Sequence, residues 1–164
     1  MDWDKVIEDI GPRLFKYFCV RFSSEQSDDL TQETLIRLVR KVEDKQFNPD
    51  KGTLKMLSFG IAHYVALEAK QLDTHDSIED WSDSLVCEYD LEQLVISQDM
   101  IRRVYQHIKK LTNIEQQVLA LVVNDELTLV EIAKILSIPE GTIKSHLFRA
   151  KQKLIILIQK EKLL

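Results

Sequence analysis

The sequence predicts an all-α chain: two small helical domains joined by an acidic linker, the second carrying a helix-turn-helix. Three observations lead there. Only four glycines and three prolines occur in 164 residues, too few turn formers for an all-β fold with many hairpins. Apolar residues recur at helical spacing, and nowhere do four or more β-formers alternate cleanly with polar residues. Charge divides the chain into three blocks: residues 1–72 are nearly balanced, 73–100 hold nine carboxylates and no Lys or Arg, and 101–164 hold 11 basic residues against 6 acidic ones.

Three helices are expected in the first block. Leu14, Phe15, Phe18 and Phe22 share one face, and Gly11-Pro12 before them reads as a helix start, since proline is tolerated in the first turn. Ser27-Asp28-Asp29 reads as an N-cap with first-turn acids, opening a helix with the stripe Leu35, Leu38, Val39 and Val42. Phe47 to Gly52 is a turn by its Asn, Pro and Gly. A third helix is expected from about Thr53 to Leu72, with Leu54, Leu57, Ile61, Val65 and Glu68 on one side. The middle block, 73–100, reads as a tether extended by like charges; an acidic strand lying in a basic nucleic-acid groove is the alternative.

The third block, 101–164, is the most clearly marked. Thr112…Glu115 and Thr128…Glu131 have capping-box spacing. Ser137-Ile138-Pro139 breaks the chain between a short helix and a long one whose stripe is Ile143, Leu147, Ala150 and Leu154. Short helix, tight break and longer helix make a helix-turn-helix, with Ala133 small enough to let the two helices cross closely. Opposite the stripe, Lys144, Ser145, Phe148, Arg149 and Gln152 form a face suited to phosphates and base edges in a major groove. Gly141-Thr142 would let the helix N-terminus approach a phosphate. His146 reads as a surface residue, with no second ligand at metal spacing.

Other classes find little support. There is no Ser-His-Asp constellation, glycine-rich phosphate loop or metal-spaced cluster, so no enzyme, cofactor or metal is expected. No apolar run is long enough to span a bilayer, and the acidic N-terminus is not a signal, which reads as cytoplasmic. Cys19 and Cys87 are far apart in sequence and are expected as free thiols.

Residues 111–120 and 131–151, with the Ile-Pro-x-Gly-Thr-Ile-Lys-Ser element at 138–145, closely resemble the promoter-binding domain of extracytoplasmic-function sigma factors of bacterial RNA polymerase. A less exact likeness to quorum-sensing-type response regulators exists, but those carry a βα-repeat phosphoacceptor domain with no counterpart here. Asp28 to Arg40 resembles the segment by which such sigma factors dock on the β′ clamp helices. The resemblance implies core RNA polymerase (β′ clamp helices and β flap) and promoter DNA as partners, an anti-sigma factor as a candidate partner, no catalysis, and a linker in a basic polymerase channel. It assigns polymerase docking to Asp29, Gln32, Glu33 and Arg37, and DNA contact to Lys144, Ser145, Phe148 and Arg149; Thr142 and His146 of the same helix complete the DNA-binding candidates.

The third helix departs from the family. Its promoter-melting candidates are Lys55, Phe59, His63 and Tyr64, but the basic residues the family carries at positions 60, 63, 71 and 72 are replaced by Gly60, His63, Gln71 and Leu72. Each lost cation removes a phosphate contact. Phe59 and Tyr64 either stack on unpaired bases or pack in the core, the second being slightly favoured. Two further readings therefore stand beside a sigma factor: a sigma-like accessory regulator unable to melt promoters alone, and a stand-alone helix-turn-helix regulator.

Overall fold

The computed structural model describes residues 1–72, 98–123 and 127–161, with the backbone alone at 98–101. All regular structure among them is helical: α1 (Trp3–Cys19), α2 (Ser24–Glu43), α3 (Leu54–Leu72), α4 (Gln98–Ile108), α5 (Asn113–Val122), α6 (Leu129–Leu136) and α7 (Glu140–Lys160). The acidic stretch 73–97 lies outside the described residues, and with it both readings of the linker.

Helix α1 begins earlier than Gly11-Pro12. Asp2 caps it, accepting from the Lys5 amide at 3.4 Å, and Pro12 sits inside the helix. An interior proline costs about 3 kcal/mol in lost hydrogen bonding and ring clash. Trp3, Val6 and Ile10, all before the proline, pack on the core. Ile10 is buried and Trp3 and Val6 are partly buried; at about 1.5–3 kcal/mol for a fully buried side chain, together they supply stabilisation of the same order as that cost.

Helix α2 also starts earlier. Ser23, not Ser27, is its cap, in a reciprocal capping box with Gln26. Ser-x-x-Gln at 23–26 is the signal that the sequence reading passed over in favour of the acids at 28 and 29. The buried line of α2 is Ser27, Thr31, Thr34 and Leu38, largely hydroxyl-bearing. Thr31 and Thr34 donate to the carbonyls of Ser27 and Leu30 at 2.7 and 2.8 Å, so these small polar side chains are satisfied within their own helix. Helix α2 can then lie close against α1 and α3 without stranding a donor.

Helices α1–α3 enclose an aromatic core. The Tyr17 ring meets Phe18 and Phe59 edge-on, with centroids 5.0 and 5.8 Å apart. Leu14, Leu38, Ala62 and Ala66 fill the remainder and are fully buried. Glu68 is not on this face. It is exposed and forms a two-pronged pair with Arg37 of α2, at 3.1 and 2.7 Å.

In the second domain α7 packs on α4, α5 and α6. Val118, Leu121, Ile132, Ile143 and Ala150 are essentially inaccessible, and Leu147 and Leu154 are partly so, as the stripe predicts. The capping box at Thr128–Glu131 forms in full. At Thr112 only half forms: its hydroxyl accepts from the Glu115 amide, while the Glu115 carboxylate turns inward to Lys153 of α7 at 2.7 Å. Ser137 ends α6 in the left-handed region, φ 56°, and the Ile138 amide donates to the Ala133 carbonyl at 3.1 Å. The two domains touch: α6 packs on α3, and α5 meets α1.

Cys19 is buried and disulfide-bonded, which corrects the expectation of a free thiol. Cys87 lies outside the described residues. No helix among the described residues is long and apolar enough to cross a membrane.

Candidate nucleic-acid interface

The N-terminal half of α7 presents the expected face. Ile143 and Ala150 point into the domain core, so helical geometry turns positions 144, 145, 148 and 149 outward. Lys144, Ser145, Phe148 and Arg149 together line one shallow open surface. Phe148 is 64% exposed, although a phenyl ring is ordinarily a core group. Lys144 is held only loosely by Glu140, at 3.8 Å, so its charge stays available. Thr142 is half-buried beside them.

His146 is half-buried, with Nδ1 lying 3.3 Å from Nη2 of Arg149. A guanidinium can only donate, so the imidazole nitrogen accepts. His146 thereby orients Arg149 without neutralising it. The Ser145 hydroxyl donates to the Gly141 carbonyl at 3.1 Å, which fixes its oxygen at the surface.

The docking candidates of α2 divide in two. Asp29 and Gln32 are exposed, and Gln32 donates to Asp28 at 3.3 Å. Glu33 and Arg37 are joined at 2.7 Å, and Arg37 also holds Glu68. The hydrogen bonds that Arg37 donates to Glu68 and Glu33 raise its pKa above the ordinary value, and the same contact lowers that of Glu68. Arg37 thus braces α2 against α3. Sequence reasoning passed over Ile36, which is 47% exposed on the same helix. Its signal was there: position 36 falls outside the stripe of Leu35, Leu38 and Val42. A direct check is the Glu68 carboxyl titration followed by NMR: Arg37→Ala should return its pKa upward to the ordinary carboxylate value.

The melting candidates of α3 are separated by the packing. Tyr64 is 65% exposed, whereas Phe59 is fully buried and unavailable for stacking. His63 is buried as well, and its Nδ1 lacks a hydrogen-bond partner. Burial, reinforced by the charge of Arg21, pushes its pKa down, so it is not a cation for phosphate. Lys55 is half-buried at the start of α3. Arg21, which no motif singled out, is buried with its guanidinium 5.9 Å from the Phe22 ring centroid. No group of three or more His, Cys, Asp or Glu among the described residues could hold a metal ion.

Known proteins resemble the chain at both levels. Residues 107–154 match the family model for sigma-70, region 4. Over 63 residues, 38% of this chain, the sequence is 38% identical to the ECF RNA polymerase sigma factor SigW of Bacillus subtilis (strain 168); the chain spans 34% of that relative's length. The fold matches the sigma factor RpoE of Bartonella quintana, solved with the anti-sigma factor NepR. The TM-score is 0.73 at 18% identity, over 96% of this chain and 97% of that one. Sigma-70 region 4 is thus matched over residues 107–154, and the described helices share the fold of that solved sigma factor.

Proposed function

We propose that the chain is an RNA polymerase sigma factor that directs promoter recognition and transcription initiation, with no catalytic activity of its own. The observation that carries this is the outward cluster Lys144, Ser145, Phe148 and Arg149 on the second helix of the region 4 helix-turn-helix. In this reading α7 enters the major groove of the upstream promoter element. Thr142 and Lys144 meet phosphates, while Arg149, oriented by His146, reads a base edge. Residues 1–72 dock on core polymerase through α2, where Asp29, Gln32 and Glu33 surround the apolar Ile36. Tyr64 is the residue of α3 that supplies a stacking face to single-stranded promoter DNA. An anti-sigma factor is the expected protein antagonist, and the cytoplasm the expected compartment.

The test is reconstitution with purified core polymerase, read by co-purification and by run-off transcription. Binding and initiation are expected. Failure to bind core overturns the proposal and leaves a stand-alone helix-turn-helix regulator, for which tight, polymerase-independent binding to a palindromic site would be the sign. Arg149→Ala should cost about 1–3 kcal/mol in promoter affinity and relax preference at one base pair. A uniform loss on all sequences would reduce Arg149 to a phosphate contact. Competition binding on a panel of single-base variants distinguishes the two.

A second reading rests on a specific observation: the middle of α3 offers Gly60, a buried neutral His63 and an acidic Glu68. Such a helix makes fewer phosphate contacts than the family resemblance leads one to expect. The chain would then bind core and promoter yet need another factor to open DNA. Permanganate footprinting of the complex separates the readings: unpaired thymines without any added factor would exclude the accessory role.

A further inference from the structure

Between the two domains runs a groove of about 360 Å³, within the range of small-molecule sites. Its floor is apolar, built from Phe47, Met56, Leu57, Ile61 and Ile135. Its charged lining residues among those described are Lys41, Lys51 and Lys134, with no carboxylate. None of the three lysines has an ion-pair partner among the described residues. One wall belongs to α2, α3 and the loop between them, the other to α6.

Gly60 keeps the groove open. It lines the cavity from the middle of α3, and a Cβ built there would meet nothing within 4 Å. Glycine at an interior helix position is destabilising relative to alanine, and neither a turn nor a close backbone approach requires it here. Any larger side chain would project into the space.

We infer that this groove binds a single-chain lipophilic carboxylate, its tail along the Met56–Ile61 floor over Gly60 and its head group among Lys41, Lys51 and Lys134. Charge complementarity chooses the occupant. A neutral apolar ligand would leave the lysines unused, and a cationic amphiphile would be repelled. Single-stranded DNA would offer phosphate to the lysines but little to cover the aliphatic floor. Because Lys134 and Ile135 come from α6, the ligand touches both domains and favours the arrangement in which α6 lies on α3.

The test is calorimetric titration of the full chain with dodecanoate, below the concentration at which it aggregates. It needs no polymerase, so it stands or falls apart from the sigma factor reading. Saturable one-to-one binding is expected. Gly60→Leu should weaken it by about tenfold or more, with helicity by circular dichroism unchanged. Lys51→Glu with Lys134→Glu, outside the helix interior of α3, should weaken it similarly. Dodecyltrimethylammonium should not bind. Absence of saturation, equal binding by Gly60→Leu, or equal binding of the cationic amphiphile would overturn the inference. So would Gly60-dependent binding of an acidic amphipathic peptide where dodecanoate does not bind, which would assign the groove to a protein segment.

Discussion

Replacing Phe59 with alanine should destabilise the protein by about 3–5 kcal/mol, while replacing Tyr64 should leave stability within about 0.5 kcal/mol. Both are aromatic, on one helix, five positions apart. Phe59 is fully buried, with its ring edge-on to Tyr17 at 5.8 Å, and its removal opens a cavity in a core that cannot collapse around it. Tyr64 is 65% exposed and gives up little packing. Chemical denaturation of the two variants measures the difference. In transcription assays the order should reverse once stability is accounted for. Tyr64→Ala should lose about 1–3 kcal/mol of single-strand affinity if its ring stacks on a base. A Phe59→Ala protein as stable as the parent would contradict the packing of the first domain.

The second large effect lies in the other domain. Glu115 is only 3% exposed, and its Oε1 is held by Lys153 at 2.7 Å. Burial pushes the Glu115 pKa up. The hydrogen bond and charge of Lys153, with help from Thr112, more than offset this and leave it below the ordinary value. Lys153→Met should therefore strand a buried carboxylate and cost about 3 kcal/mol, the low end for a buried pair because the lysine is itself half-exposed. Pairing it with Glu115→Gln should recover much of the loss, since the uncompensated charge is then gone. Thermal unfolding of the two single variants and the double measures the coupling. The pH sign follows from the lowered pKa of Glu115 in the folded chain. Its stabilising contribution is full above the unfolded carboxylate value and fades as pH falls through the folded one. In the Lys153→Met variant burial is no longer offset by the lysine, so the dependence should reverse, with stability falling as pH rises through the carboxylate range.

The helix-turn-helix was readable without coordinates because its signals are local. Thr128 and Glu131 lie within hydrogen-bond reach in any helix that begins there, and Ile143, Leu147, Ala150 and Leu154 share a face by helical period alone. Lys144 and Arg149 are turned outward by that same period. Helix starts were less legible where two signals competed. Pro12 reads as a beginning until the burial of Trp3, Val6 and Ile10 is weighed against it, and Ser27 reads as a cap until Ser23 and Gln26 are seen to close one.

Long-range pairing decided the rest. Composition alone does not reveal that Glu68 reaches across to Arg37, that Glu115 abandons its own cap for Lys153, or that Cys19 is oxidised. Nor does it distinguish Phe59 from Tyr64, since an aromatic residue is equally at home in a core and on a stacking surface. The amino-acid order by itself determined most of the described helices and their apolar faces, because those follow from hydrogen bonding and period within a few residues; α4 (Gln98–Ile108), whose first turn lies in the stretch read as linker, was not among them. Only the packed structure decided which charges are spent on holding helices together and which stay free for a partner, because that depends on what a neighbouring helix, distant in the chain, places opposite them.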